Sequence, residues 1–253
     1  GKGMNDPKQN YYGKLCVEMY EILHEEAPQD ELNFYLSYAQ AGKKILEPLC
    51  GSGRFLVPFA QKGLDIFGVD SSREMLDKLQ AKYPAAKFAC STIENFQTED
   101  KFDYIFITSG SMSLFTDMRE CKKIVGKIKA LLNPFGKFVF AVDGAASRCK
   151  DDNDFKIAVS VKTDDGCDLI LKTKNTFDTR TGTQYSPSFY ELYDGGRLLK
   201  REFMDFRTHL YKYGEMEAVL KEVGFPIVRT FSCFDKNETL GEKAEIYLFE
   251  CTV

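Results

Sequence analysis

The chain has 253 residues, room for one α/β domain with a small elaboration, and its 43% hydrophobic and 28% charged residues are ordinary globular composition. A chain of this length buries a sizeable core without disulfides. The formal net charge of −4 excludes a general electrostatic footprint for nucleic acid.

The first element is a helix, with Tyr12, Leu15, Cys16, Met19, Tyr20 and Leu23 at helical spacing and Pro28 beyond its end. A second short helix is expected over Glu31–Ala41. The apolar run Lys44–Leu49 reads as a strand that stops at Gly51-Ser52-Gly53, and Phe55–Gln61 as a helix ended by Gly63. Strand and helix then alternate: a strand at Asp65–Val69, a helix at Ser72–Lys82 capped by Ser71 or Ser72, and short strands at Lys87–Cys90 and Tyr104–Thr108. A helix over Asp117–Leu132, a turn at Asn133-Pro134-Phe135-Gly136 and a strand at Lys137–Val142 follow. This alternation implies βαβ units and a parallel sheet with helices on both faces. Residues 155–211 break the rhythm. They alternate apolar and polar positions, with turn signals at Asp164-Asp165-Gly166, Thr181-Gly182 and Asp194-Gly195-Gly196, which reads as antiparallel hairpins. A last helix over Glu215–Val223 stops at Gly224, and two closing strands are expected at Ile227–Phe231 and Glu245–Cys251. The expected fold class is a Rossmann-like, doubly wound α/β fold. It has a mostly parallel seven-stranded sheet, N-terminal helices and an antiparallel insertion after the fifth strand.

Eight cysteines are scattered without a Cys-x-x-Cys pair beside only two histidines, so no metal site is expected and a reducing, cytoplasmic setting is. Neither an N-terminal apolar segment nor an apolar run of the ~18 residues a membrane helix needs is visible, so no membrane partner is expected. Asn237-Glu238-Thr239 matches a glycosylation sequon, which has no meaning without secretion.

The chemistry lies in Ile45-Leu46-Glu47-Pro48-Leu49-Cys50-Gly51-Ser52-Gly53-Arg54-Phe55-Leu56, a buried strand running into a glycine turn and then a helix. Glycines let a ligand approach the main chain at the carboxyl edge of a parallel sheet. Asp70 ends the next strand, where a carboxylate accepts hydrogen bonds from ribose hydroxyls. The third glycine of a dinucleotide fingerprint would fall on Leu56, and Glu47 before the turn repels a pyrophosphate but favours an ammonium or a sulfonium.

Glu47-x-x-Cys50-Gly51-Ser52-Gly53 resembles the first motif of the class I S-adenosylmethionine-dependent methyltransferases, and Gly68-Val69-Asp70-Ser71-Ser72-x-x-Met75-Leu76 resembles their second. Phe102-Asp103-Tyr104-Ile105-Phe106 is similar to the fourth strand, Leu131–Lys137 to the turn into the fifth, and Tyr213-Gly214-Glu215-Met216 through Gly224-Phe225 to the late helix. The N-terminal helices are similar to those of members acting on small molecules. The resemblance implies that the turn Cys50, Gly51, Ser52 and Gly53 meets the methionine part of the cofactor and that Glu47 orients it. It implies Asp70 on both ribose hydroxyls, and Ser71 and Met75 against the adenosine. Where the family often has an acid for the adenine, this chain has Ser91-Thr92, so backbone near Thr92 or Ile93 is the expected contact. Ser109 and Gly110 would flank the sulfonium. Cys50 itself reads as a small packing residue rather than a nucleophile.

The implied reaction is methyl transfer to an N, O or C nucleophile of a small molecule, leaving S-adenosylhomocysteine. Within a single domain, 43–143 would bind the cofactor, 1–42 and 150–211 would cover the acceptor, and 212–253 would close the sheet. His209 is the candidate general base, and Tyr12, with Tyr11, a candidate to fold over the cofactor. Nucleic-acid methylation is disfavoured, because Thr108-Ser109-Gly110-Ser111 stands where base-modifying enzymes carry Asn-Pro-Pro-aromatic. The alternatives are an NAD(P)-dependent oxidoreductase of similar topology and a non-catalytic module that keeps the cofactor site. The sequence leaves the oligomeric state open.

Overall fold

The computed structural model describes residues 9–237 and 241–253; Glu238 and Thr239 of the sequon lie outside the described residues. In chain order the elements begin with helices α1 (Lys14–His24) and α2 (Gln29–Leu36), then β1 (Lys44–Pro48), α3 (Leu56–Gln61), β2 (Asp65–Asp70) and α4 (Arg73–Lys82). β3 (Phe88–Cys90), β4 (Phe102–Ile107), α5 (Met118–Ala130) and β5 (Leu132–Asp143) complete the alternating part. Five strands follow: β6 (Lys156–Lys162), β7 (Asp168–Thr173), β8 (Thr176–Asp178), β9 (Thr183–Asp194) and β10 (Arg197–His209). The chain closes with α6 (Glu215–Val223), β11 (Ile227–Phe231) and β12 (Ile246–Thr252).

Contacts divide the chain into two compact units, Gly1–Glu25 with Arg148–His209, and Glu26–Ser147 with Leu210–Val253. The second holds a seven-stranded sheet in the order β11-β12-β5-β4-β1-β2-β3. β1 to β5 run parallel, and β12 joins β5 antiparallel, with β11 antiparallel beyond it. Successive side chains of a strand point to opposite faces. Ile105, Ile107, Phe138 and Phe140 therefore pack with Ile124, Ile128, Met216 and Leu220 of α5 and α6. Tyr104, Phe106 and Val139 pack on the other side with Tyr35, Phe59, Leu76 and Leu79 of α2, α3 and α4. Both faces are covered, which is the doubly wound arrangement.

Two boundaries differ from the sequence reading. α2 stops at Leu36 rather than Ala41, because the Ser37 N–H donates to Asn33 and Phe34 carbonyls and its hydroxyl donates to Phe34 O at 2.6 Å. Asn133-Pro134-Phe135-Gly136 is not a free turn before the fifth strand. It is an excursion within β5: Leu132 pairs with Phe102, pairing resumes at Lys137 with Tyr104, and Phe135 takes a φ of 64°. Between Ser71 and Ser72, the cap of α4 is Ser72, whose Oγ accepts from the Met75 N–H at 3.2 Å.

The first unit is an antiparallel sheet in the order β10-β9-β7-β6, with β8 paired to β9. The glycine-bearing hairpin turns fall where the sequence put them. α1 lays Leu15, Cys16 and Met19 against Leu169, Tyr190 and Met204, and the Glu202 carboxylate accepts from the Leu15 N–H at 2.6 Å. Tyr190 is thereby a core residue. Glu191, on the opposite strand face, is held by Lys172 at 2.7 Å and Arg201 at 3.0 Å.

Candidate cofactor and methyl-transfer site

The turn after β1 is built from backbone that only certain residues tolerate. Leu49 and Gly51 both take φ 57° and Gly53 φ 87°. A Cβ on Gly53 would overlap Leu79 Cδ1, so that position combines a left-handed backbone with close packing of α4. Gly68 on β2 serves the same turn from below, since a Cβ there would lie 2.7 Å from both Cys50 Sγ and Leu56 Cδ1. Above Gly51 the nearest side-chain atoms to a Cβ would be Met75 Sδ and Cε at 3.8 Å, a cradle open toward Met75.

Asp70 joins the two motifs. One carboxylate oxygen accepts from the Gly51 N–H at 2.9 Å and the other from the Ser72 N–H at 2.8 Å. Burial raises its pKa, and the Ser72 and Gly51 N–H groups oppose the rise. An ionised carboxylate has about four acceptor sites, so ribose hydroxyls can bind without displacing either N–H. Glu47 is 1% exposed. Burial, then the negative charge of Asp70, pushes its carboxyl well above the usual range, with Arg54 opposing. Among the described residues no donor reaches its Oε1. A buried acceptor of that kind is costly unless a ligand supplies the donor.

Ser109 and Gly110, with φ 58° and 68°, follow β4. The Ser109 N–H donates to Glu31 Oε2 at 2.9 Å, and Arg54 Nη2 donates to Ser109 Oγ at 2.6 Å. Glu31 is buried on α2, and burial raises its pKa against the pull of the Ser109 N–H. Asp143 ends β5, and its Oδ1 stands 2.6 Å from where a Cβ on Gly110 would be. Burial alone raises the Asp143 carboxyl to about 6.

The sequence reading named Glu47, Cys50, Gly51, Ser52, Gly53, Asp70, Ser71, Met75, Thr92, Ile93, Ser109 and Gly110, and all lie in the second unit at or near the carboxyl ends of β1 to β4. Cys50 is buried, its thiol pushed well up by burial, consistent with packing. Ile93 packs its side chain into the core beside Val69 and Phe96, and Thr92 Oγ1 accepts from the Asn95 N–H at 3.2 Å. His209 and Tyr12 belong to the first unit, His209 buried at the end of β10 and Tyr12 packed against that unit's core. Nothing in the local sequence singles out Glu31, Arg54 or Asp143. Glu31 reads in sequence as an acid in a helix's first turn, a solvated partner of the helix dipole. Only the fold brings it to Ser109.

The acids Glu31, Glu47 and Asp70 around one glycine turn suit a cationic ligand and oppose a pyrophosphate. A cofactor carrying an ammonium, a sulfonium and a ribose matches the unserved Glu47 oxygen, the cradle over Gly51 and the acceptor sites of Asp70.

Comparison with known proteins agrees with this geometry. The family model for a methyltransferase domain matches residues 45–136. A Geobacillus sp. (strain WCH70) protein with a provisional methyltransferase name is 25% identical over 91% of this chain and 95% of its own length. The ubiquinone biosynthesis O-methyltransferase of Vibrio parahaemolyticus is 25% identical over 77% of this chain and 88% of its own. The fold is shared with an S-adenosylmethionine-dependent methyltransferase from Clostridium acetobutylicum, with a TM-score of 0.75 at 19% identity over 93% of this chain and 96% of that one. It is shared also with the sugar N-methyltransferase KedS8 from Streptoalloteichus, with a TM-score of 0.72 at 15% identity over 97% and 98%. Residues 45–136 thus match a methyltransferase domain, and the seven-stranded sheet has the fold of S-adenosylmethionine-dependent methyltransferases.

Proposed function

We propose that the chain methylates an N, O or C nucleophile of a small molecule. The observation that carries this reading is the buried Glu47 carboxyl before the glycine turn, with its unserved oxygen, beside Asp70, which holds the Gly51 N–H. When bound, S-adenosylmethionine supplies an electrophilic methyl group on a cationic sulfur. Glu47 takes the ammonium, Asp70 the ribose hydroxyls, and Met75 lies against the adenosine. Backbone at Thr92 and Ile93 meets the adenine. The left-handed pair Ser109-Gly110 flanks the sulfonium. Alignment and exclusion of water are the enzyme's main tasks, and alignment can supply on the order of 7–11 kcal/mol when the geometry is good. The names of the ubiquinone-biosynthesis relative and of the sugar-modifying neighbour support a small acceptor. Tyr12 and His209 are the residues to substitute first when acceptor turnover is measured.

The test is calorimetric titration of the chain with S-adenosylmethionine and S-adenosylhomocysteine. Micromolar binding of both is expected, weakened at least about 100-fold in Asp70→Ala by loss of two charge-assisted hydrogen bonds. A folded chain that binds neither ligand overturns the reading.

A further inference from the structure

The roles proposed above leave the partly buried Asp143 carboxylate unused. Asp143 ends β5, beside the end of β4, on the sheet edge that carries the cofactor residues. Its backbone is fully engaged: the N–H donates to Ser113 Oγ at 2.9 Å, and the carbonyl accepts from the Tyr211 N–H at 2.8 Å. Its side chain is different. Among the described residues no hydrogen bond or ion pair reaches the carboxylate, and Oδ1 stands directly over Gly110. A Cβ at position 110 would sit 2.6 Å from that oxygen, so the glycine is what leaves the carboxylate room beside the Ser109-Gly110 corner. That corner is tied through Ser109 to Arg54 of the cofactor turn and to Glu31.

We propose that Asp143 is the catalytic residue that binds a substrate ammonium and accepts its proton, so that the methyl acceptor is an amine. This rests on the cofactor reading above. An ammonium approaching a sulfonium meets like-charge repulsion, and a carboxylate beside the corner that flanks the sulfonium offsets it. One N–H bond of the ammonium breaks, its proton going to an Asp143 oxygen and its electron pair staying on nitrogen. A nitrogen–carbon bond then forms on that pair as the carbon–sulfur bond breaks, the bonding electrons remaining on sulfur. One positive charge remains, on the methylated ammonium, and Asp143 loses its proton to water as product departs. An acid near 6 is ionised at neutral pH and ready for this task. The titratable groups on the adjoining elements are Tyr211, Glu245 and Tyr247, with Glu31 and Arg54 across Ser109; none contributes to the rise at Asp143, whose cause is burial.

The chain labelled with carboxyl-13C aspartate, titrated without cofactor, tests this directly. A carboxyl resonance absent in Asp143→Asn is expected to titrate near pH 6 and to move to lower pH with methylammonium but not with methanol. Methylammonium is small enough to reach any carboxylate that an amine acceptor reaches, so no displacement, or an equal response to methanol, overturns the proposal. With cofactor, S-adenosylhomocysteine release is followed over a panel of primary and secondary amines, phenols and alcohols. Turnover of an amine is expected, with kcat/KM falling below about pH 6. Asp143→Asn should lower it about 100-fold or more, with the affinity for S-adenosylmethionine kept within about twofold. Turnover of hydroxyl acceptors only, of no amine, or an acid limb removed by His209→Asn instead of Asp143→Asn each overturns it. Because the resonance titration needs no cofactor, its failure is distinct from a failure of calorimetric binding.

Discussion

Glu47 makes the sharpest case at the scale of one residue. Burial and the charge of Asp70 raise its pKa, so the folded chain holds the proton to higher pH than the unfolded chain does. Stability therefore falls as pH rises from the ordinary glutamate range toward the raised value. Glu47→Gln should raise the midpoint of thermal unfolding at neutral pH and change it little below about pH 4. The same substitution should weaken S-adenosylmethionine, whose ammonium it no longer pairs. The ammonium prefers the ionised form of Glu47, so affinity in the wild type should rise with pH across the window in which the free site ionises. Calorimetry in buffers of different ionisation heat would show proton release on binding. A flat affinity and no proton release would mean that Glu47 is ionised already. Gly53 can be tested the same way. Its φ of 87° and the overlap of an added Cβ with Leu79 predict that Gly53→Ala costs about 1–3 kcal/mol in denaturant unfolding.

Among the elements, α4 links fold to site, because Ser72 caps it while the Ser72 N–H also holds Asp70. Ser72→Ala should cost about 1 kcal/mol, measured by urea midpoint, and should spare cofactor binding, since the Ser72 N–H remains. Much of this layer is legible in the sequence. The glycine turn, Asp70 at the end of its strand, α6 with Gly224 at φ 105° and the three hairpins all stand where local residue chemistry puts them. What the sequence hides are features decided by distant partners. Asn133-Pro134-Phe135-Gly136 has the residues of a turn, yet Leu132 already pairs with Phe102, a fact set by the neighbouring strand. α2 keeps an apolar-spaced pattern beyond Leu36, but Ser37 closes the helix with its own hydroxyl. Glu31, Arg54 and Asp143 look like surface charges until the sheet edge gathers them around Ser109 and Gly110.

For the whole molecule, ligand binding must appear as stability. At a hundredfold excess over Kd, S-adenosylhomocysteine contributes about 2.7 kcal/mol to the folded state. For a chain of this size that corresponds to a rise of about 5–10 °C in Tm by differential scanning calorimetry, absent in Asp70→Ala. The composition of the first unit has a further consequence, for synthesis. Its helix α1 is made first, yet Glu202, which accepts from the Leu15 N–H, lies 187 residues further along. At about 5–20 residues per second a ribosome needs roughly 10–40 s to deliver that partner. Until β7 begins at Asp168, the apolar side chains Leu15, Cys16 and Met19 have none of β7, β9 or β10 to pack against. The nascent chain thus carries an unburied amphipathic helix while the residues between α1 and β7 are made.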